Sequence, residues 1–383
     1  MRRVCVFVGS RANYTSIKTV MRELKVRPDI ELITVVGASA LLSRYGRVVD
    51  YIESDGFKID HRIHMIVEGE TLSTMTQSTG FGLIGMARIL EEEKPDFLVV
   101  VGDRFEIAAA AIAGAYMNIP VAHTMGGEVT GTIDESIRHA VTKLSHVHFP
   151  ANQESAERII RMGERKETVF NVGCPRIDLV SEIISGPPLS EEDFQGYRGV
   201  GVEIDWTEPF LLVLQHPVTT EYGSGRQQVT ETLAALERLG MPTIMLWPNV
   251  DAGSEDIAKG IRTFREQNAP DWLELFVNLP HEAYLKLMAS TACLIGNSSS
   301  AIREGAFIGT PAVNIGSRQR YRQRGQNILD VEYGRDEIAA AIARQIENGH
   351  YERETIYGDG NAAEKIADVL GKVDVDIQKW LAY

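Results

Sequence analysis

Short apolar runs alternate with longer amphipathic stretches along the whole chain, and this rhythm restricts the possible folds more than any other feature. Runs at 4–8, 31–36, 97–101, 121–123, 147–149 and 169–172 have the length of buried strands. The stretches 16–24, 72–93 and 107–117 between them have the period and length of crossover helices. A crossover helix returns the chain to the same end of a sheet, so successive strands pair parallel. The rhythm restarts with runs at 210–214, 243–246, 275–277, 293–295 and 312–315. Between the halves, residues 186–209 open with Gly186-Pro187-Pro188 and carry no long apolar period, so they read as a linker. The expectation is an α/β chain with two doubly wound parallel-sheet domains at 1–185 and 210–360 facing a central cleft. Residues 361–383 are expected to form a helix and tail that pack back on the first domain.

Composition agrees with two buried cores: 383 residues, 44% hydrophobic and 24% charged. No run of 18 apolar residues occurs, and the start Met1-Arg2-Arg3-Val4-Cys5-Val6-Phe7-Val8 reaches Gly9 too soon for a signal peptide, so a cytoplasmic protein is expected. The net charge of -14, from 39 Lys+Arg against 53 Asp+Glu, argues against nucleic acid as a partner. It does not argue against a small phosphorylated ligand, which a few arginines in one place can bind. Cys5, Cys174 and Cys293 stand far apart and offer neither a metal-ligand spacing nor a disulfide framework.

In parallel α/β domains ligands bind beyond the carboxyl ends of the strands, and the polar motifs of this chain fall there. After the first run comes Gly9-Ser10-Arg11-Ala12-Asn13-Tyr14-Thr15, a small-residue turn opening a helix whose first N–H groups favour an anion. It lacks the glycines of a dinucleotide fingerprint and the lysine of a P-loop. Gly102-Asp103-Arg104-Phe105-Glu106 puts acid and base at a strand end, where a cleft suits them better than a core. Met125-Gly126-Gly127-Glu128 offers two glycines for close backbone approach to a ligand, and Asp134, Arg138 and His139 follow on a helix start where Asp134 is either a cap or a functional acid. Gln215-His216-Pro217 ends a strand with a histidine whose exit the proline sets, and Pro248-Asn249-Val250-Asp251 ends another. Gly296-Asn297-Ser298-Ser299-Ser300 runs into a helix carrying Arg303 and Glu304, so hydroxyls and helix-start amides can hold a diphosphate while Glu304 reaches ribose hydroxyls.

In these strings, and in Ile356-Tyr357-Gly358-Asp359-Gly360-Asn361, the sequence resembles the hydrolysing UDP-N-acetylglucosamine 2-epimerases, in the family's order over almost the whole chain. The resemblance implies a fold of GT-B type, with two Rossmann-like domains around a nucleotide cleft, a UDP-sugar substrate, UDP as product, a homodimer or homotetramer, no membrane partner, and no metal or other cofactor. It implies nucleotide-binding roles for Arg11, Thr15, Arg104, His216, Asn249, Ser298, Ser299, Glu304 and Arg318, and catalytic roles for Asp103 and Asp134. His216 is also expected to act on the leaving phosphates. One position departs. The family usually carries a catalytic glutamate directly before the Gly-Gly pair, where this chain has Met125. A thioether cannot move protons, so either another group takes over, Glu128 being the expected one, or the substrate or rate differs. UDP-N,N'-diacetylbacillosamine is the alternative sugar nucleotide; a glycosyltransferase and a nucleotide-sugar sensor are the more distant alternatives.

Overall fold

The computed structural model describes residues 1–382 except 44–45, 69–70, 130–132, 249–252 and 278. Tertiary contacts divide the chain into two compact units. Unit 1 comprises Met1–Val129, Ile133–Leu179 and the segment from Tyr357 to the C-terminus; unit 2 is Val180–Ile356. None of the described helices is long and apolar enough to cross a membrane.

Unit 1 is built on β1 (Arg2–Val8), β2 (Ile30–Gly37), β3 (His61–Ile63), β4 (Phe97–Val101), β5 (Val121–Thr124) and β6 (Val147–Phe149), in the order β3-β2-β1-β4-β5-β6. All the pairs are parallel. Alternate residues of β1 feed opposite faces. Val4, Val6 and Val8 join Ile17 and Leu24 of the helix Arg11–Val26, together with Ile366 and Leu370 of the final helix Ala362–Lys372. Cys5 and Phe7 join Met86 and Leu90 of the helix Leu72–Glu93 and Ile107 of the helix Phe105–Tyr116. Burial on both faces is why the strands read as unbroken apolar runs. The run at 169–172 is not a strand. It makes a single bridge, His148 to Val169, and is apolar because Phe170 packs on Phe149, with ring centroids 6.1 Å apart.

Unit 2 contains β7 (Val200–Gly201), β8 (Leu211–Leu214), β9 (Thr243–Leu246), β10 (Leu273–Phe276), β11 (Cys293–Gly296), β12 (Ala312–Ile315) and β13 (Ile328–Val331). Their order is β13-β12-β11-β8-β9-β10-β7, with only β7 antiparallel. That edge strand corrects the linker expectation, because residues 186–209 belong to unit 2. Val200 and Gly201 pair with β10, Asp193 meets Lys286 at 2.8 Å, and Phe194 packs on Phe276 of β10 with ring centroids 6.0 Å apart. A segment held by an ion pair, an aromatic contact, the Ile204 N–H donated to Glu274 and two ladder residues needs no apolar period. The boundary between units falls after Leu179, inside the helix Pro175–Ser185.

In each sheet the strand order reverses direction once, between β1 and β4 in unit 1 and between β8 and β11 in unit 2. Such a reversal opens a crevice between loops that leave to opposite sides of the sheet, and ligands of this architecture bind there. The loops after β1, β4, β8 and β11 are four of those singled out from sequence.

Candidate active site

At the switch point of unit 1, the side chain of Ser10 caps the helix Arg11–Val26 by accepting the Asn13 N–H. Asn13 ties the two loops together: its Oδ1 accepts the Gly9 N–H and its Nδ2 donates to the Val101 carbonyl, both at 3.2 Å. Arg11 and Thr15 lie half-buried in the first turns of this helix. Arg176 reaches across to them, donating to the Ser16 hydroxyl at 2.7 Å and to Thr15 Oγ1 at 3.4 Å.

After β4 the chain turns through Gly102 at φ +77°, and Asp103 follows, paired with the guanidinium of Arg138. Arg138 is 3% exposed and also donates to the Glu128 carbonyl at 2.9 Å. One buried arginine thus anchors the carboxylate of Asp103 and the backbone of Glu128. Asp134 is the first residue of the helix Asp134–Leu144; Ile133 occupies the cap position and no side chain caps it there. Asp134 therefore stands one residue inside the cap position, at the first helical residue. Arg104 is half-exposed and donates through Nε to Glu106 Oε1 at 3.1 Å. Glu106 is buried, and burial pushes its pKa up against the pull of Arg104, with Asp134 adding to the rise. Its side chain fills the space above Gly9, where a Cβ would lie 2.4 Å from Glu106 Cγ. The glycine makes room for this acid.

The Gly-Gly pair makes room for close packing of the protein itself. A Cβ on Gly126 would meet His123 Nδ1 at 2.8 Å, and one on Gly127, at φ +74°, would meet the Ser155 carbonyl at 2.4 Å. His123 is buried and donates through Nε2 to the Gly102 carbonyl at 2.8 Å, while its Nδ1 accepts from the Thr142 hydroxyl at 3.2 Å. Burial lowers its pKa to about 3, so it stays neutral and braces the turn that presents Asp103. Met125, at φ +61°, packs on the core of unit 1.

In unit 2 the central residue is Asn297, which sequence reading placed inside a motif without giving it a role. Its Oδ1 accepts the His216 N–H at 2.7 Å and its Nδ2 donates to the His216 carbonyl at 2.8 Å, so one carboxamide clamps the histidine's backbone. The Asn297 carbonyl accepts from Arg318 Nη1 at 3.2 Å and from Gln319 Nε2 at 2.9 Å. His216 and Arg318 are thereby brought to one place. Burial and the neighbouring Arg318 charge lower the His216 pKa to about 3, leaving a neutral imidazole. Ser298 accepts the Ser300 N–H, and a chain of hydroxyls runs from Ser298 to Ser300 at 2.8 Å and on to Tyr284 at 2.6 Å. The expected single helix after the serines is two short pieces, Ser299–Ile302 and Glu304–Ile308, broken at Arg303, where ψ is -70°. Glu304 is buried at the start of the second piece. Asn249 lies outside the described residues.

Arg138, Asn297 and Asn13 escaped a role at the sequence level because each works on backbone or charge distant in the chain. The signal available for Asn297 was a buried amide between a strand-end glycine and a capping serine.

A family description, UDP-N-acetylglucosamine 2-epimerase, matches residues 22–371. A UDP-N,N'-diacetylbacillosamine 2-epimerase (hydrolyzing) of Legionella pneumophila is 34% identical over 378 residues, covering 99% of this chain and 98% of that protein. A UDP-N-acetylglucosamine 2-epimerase of Neisseria meningitidis is 29% identical over 97% of this chain and 95% of that protein. Among solved structures, the Neisseria meningitidis UDP-GlcNAc 2-epimerase bound to UDP-GlcNAc superposes with a TM-score of 0.81 at 18% identity, covering 97% of this chain and 99% of that one. With two parallel-sheet Rossmann-like units of GT-B class and a family match over nearly its whole length, this chain belongs to the UDP-N-acetylglucosamine 2-epimerase family.

Proposed function

We propose that the protein is a hydrolysing 2-epimerase that converts UDP-N-acetylglucosamine and water to N-acetylmannosamine and UDP. Family membership supports the 2-epimerase chemistry. The hydrolysing form is supported by one observation above the others, the 34% identity over 99% of the chain to a relative described as hydrolysing.

The C2 proton of the sugar is not α to a carbonyl, so no enolate is available to stabilise its removal. Departure of UDP solves this: as the C1–O bond breaks, positive charge at C1 acidifies the C2 proton. A carboxylate of ordinary basicity can then take it, giving 2-acetamidoglucal. Water next adds across the C1–C2 double bond, with hydroxyl going to C1 and a proton delivered to C2 on the opposite face. Asp103, paired with Arg138, and Asp134 are assigned to the two proton transfers, with Glu128 in support. The leaving diphosphate falls to Arg11, Arg104, Arg318 and the neutral imidazole of His216, which can donate one N–H and gain a proton as phosphate charge develops. Thr15, Asn249, Ser298, Ser299 and Glu304 complete the nucleotide grip.

A second reading keeps this chemistry and changes the sugar to UDP-N,N'-diacetylbacillosamine. It is favoured by the substrate in the name of the Legionella pneumophila relative and by Met125 at the family's glutamate position. Product NMR in deuterated water, with both sugar nucleotides in parallel, tests the proposal. Free N-acetylmannosamine with one solvent deuteron at C2, and UDP, is the expected result. Deuterated product from the diacetamido sugar alone selects the second reading, and UDP-N-acetylmannosamine as product overturns the hydrolytic step.

A further inference from the structure

We propose that Glu221 is a positioning residue that locks the loop of Arg318 to the loop of His216, so that both side chains address the same anionic group of the ligand. The proposal rests on the reading that His216 and Arg318 hold the nucleotide diphosphate. Glu221 ends the 3-10 turn Thr219–Glu221 that follows His216-Pro217. Its carboxylate accepts from three elements: the Ser317 hydroxyl, Gln228 Nε2 at 2.6 Å from the helix Gly225–Leu239, and the Tyr333 hydroxyl at 3.0 Å just beyond β13. Ser317 directly precedes Arg318, so this bond fixes the backbone one residue from the guanidinium.

The opposite side of the same arginine is held by the Asn297 carbonyl, and the Asn297 carboxamide holds His216. Glu221 therefore closes a ring that runs from His216 through Asn297, Arg318 and Ser317 back to the His216 loop. Gly316, at φ +74°, lets the ring seat: a Cβ there would lie 2.2 Å from the Tyr333 hydroxyl, so only a glycine allows that phenol beneath the loop. A carboxylate in this loop would repel an approaching diphosphate. With three internal donors its charge is partly offset, and it is committed to holding the loops and not to moving protons.

The experiment is calorimetric titration of the full-length protein with UDP for wild type, Arg318→Ala, Glu221→Gln and the double variant. Arg318→Ala is expected to weaken UDP at least tenfold. Glu221→Gln is expected to weaken it about tenfold, because a carboxamide cannot accept from all three donors, and to raise KM more than it lowers kcat. The double variant should bind within twofold of Arg318→Ala, since the group that Glu221 positions is gone. Tyr333→Phe, which removes one donor and keeps the ring against Gly316, should give a smaller loss in the same direction and stands in should Glu221→Gln fail to fold. Wild-type affinity in Glu221→Gln beside a weakened Arg318→Ala overturns this proposal alone, as do losses that multiply in the double variant. Wild-type affinity in Arg318→Ala overturns the diphosphate reading and this proposal with it.

Discussion

At the residue scale the informative contrast is between charges that are held and charges that are suppressed. Asp103 is paired with the buried Arg138 guanidinium, which also meets Glu135 at 3.8 Å, whereas burial drives Glu106 towards its neutral form. Two acids three residues apart thereby stand in different settings, one paired with a buried arginine and the other itself buried. Replacing Asp103 by Asn should abolish product and C2 deuterium exchange while UDP binds within about threefold of wild type, because the carboxamide cannot take a proton and the nucleotide grip lies on other residues. Turnover retained in that variant removes Asp103 from the mechanism.

At the scale of elements, strand ends are positioned by close packing as much as by hydrogen bonds. Gly127 sits at φ +74° with the Ser155 carbonyl where a Cβ would go, so Gly127→Ala meets both backbone strain and a clash with backbone that cannot rotate away. We expect it to cost at least about 2 kcal/mol, read as a lower urea midpoint for unit 1. Gly80, inside the helix Leu72–Glu93 with open space at its Cβ, is the control: alanine there should stabilise by up to about 1 kcal/mol. Gly126 and Gly127 could be recognised from sequence as special positions. That the space is occupied by Thr142, by Ile159 and by the Ser155 carbonyl could not, because those groups arrive from two other helices.

At the scale of the whole molecule, each unit buries a neutral histidine under its candidate site. Burial brings His123 and His216 to about 3, with Arg318 adding to the effect on His216, while an unfolded chain binds the same proton near pH 6.5. Between these values the unfolded state holds more protons, so the stability is full above pH 6.5 and is lost as pH falls towards 3. Glu164 adds a later loss. Burial opposes its charge, but hydrogen bonds from His148, Lys143 and Lys379 prevail and bring it down to about 2, so its contribution fades only as pH drops below the ordinary carboxylate range. Denaturant melts at pH 7 and pH 5 should show both units weakened, by about 2 kcal/mol for each histidine. His216→Asn should remove that pH dependence from unit 2 alone. An unchanged unit 2 midpoint between the two pH values in the unsubstituted protein overturns the assignment of His216 as a buried neutral group.

The sequence by itself determined the two parallel sheets, because burial on both faces imposes unbroken apolar runs such as 97–101 and 210–214, and it located the polar loops, because charge and glycine at a strand end have no place in a core. The edge strand Val200–Gly201 and the strand His61–Ile63 were illegible, being two and three residues long without apolar runs of their own. Tertiary structure alone decided how the site residues are held. Asn297 grips His216 across 81 positions and Glu221 meets Tyr333 across 112, and pairings at such separation leave no local pattern in the chain.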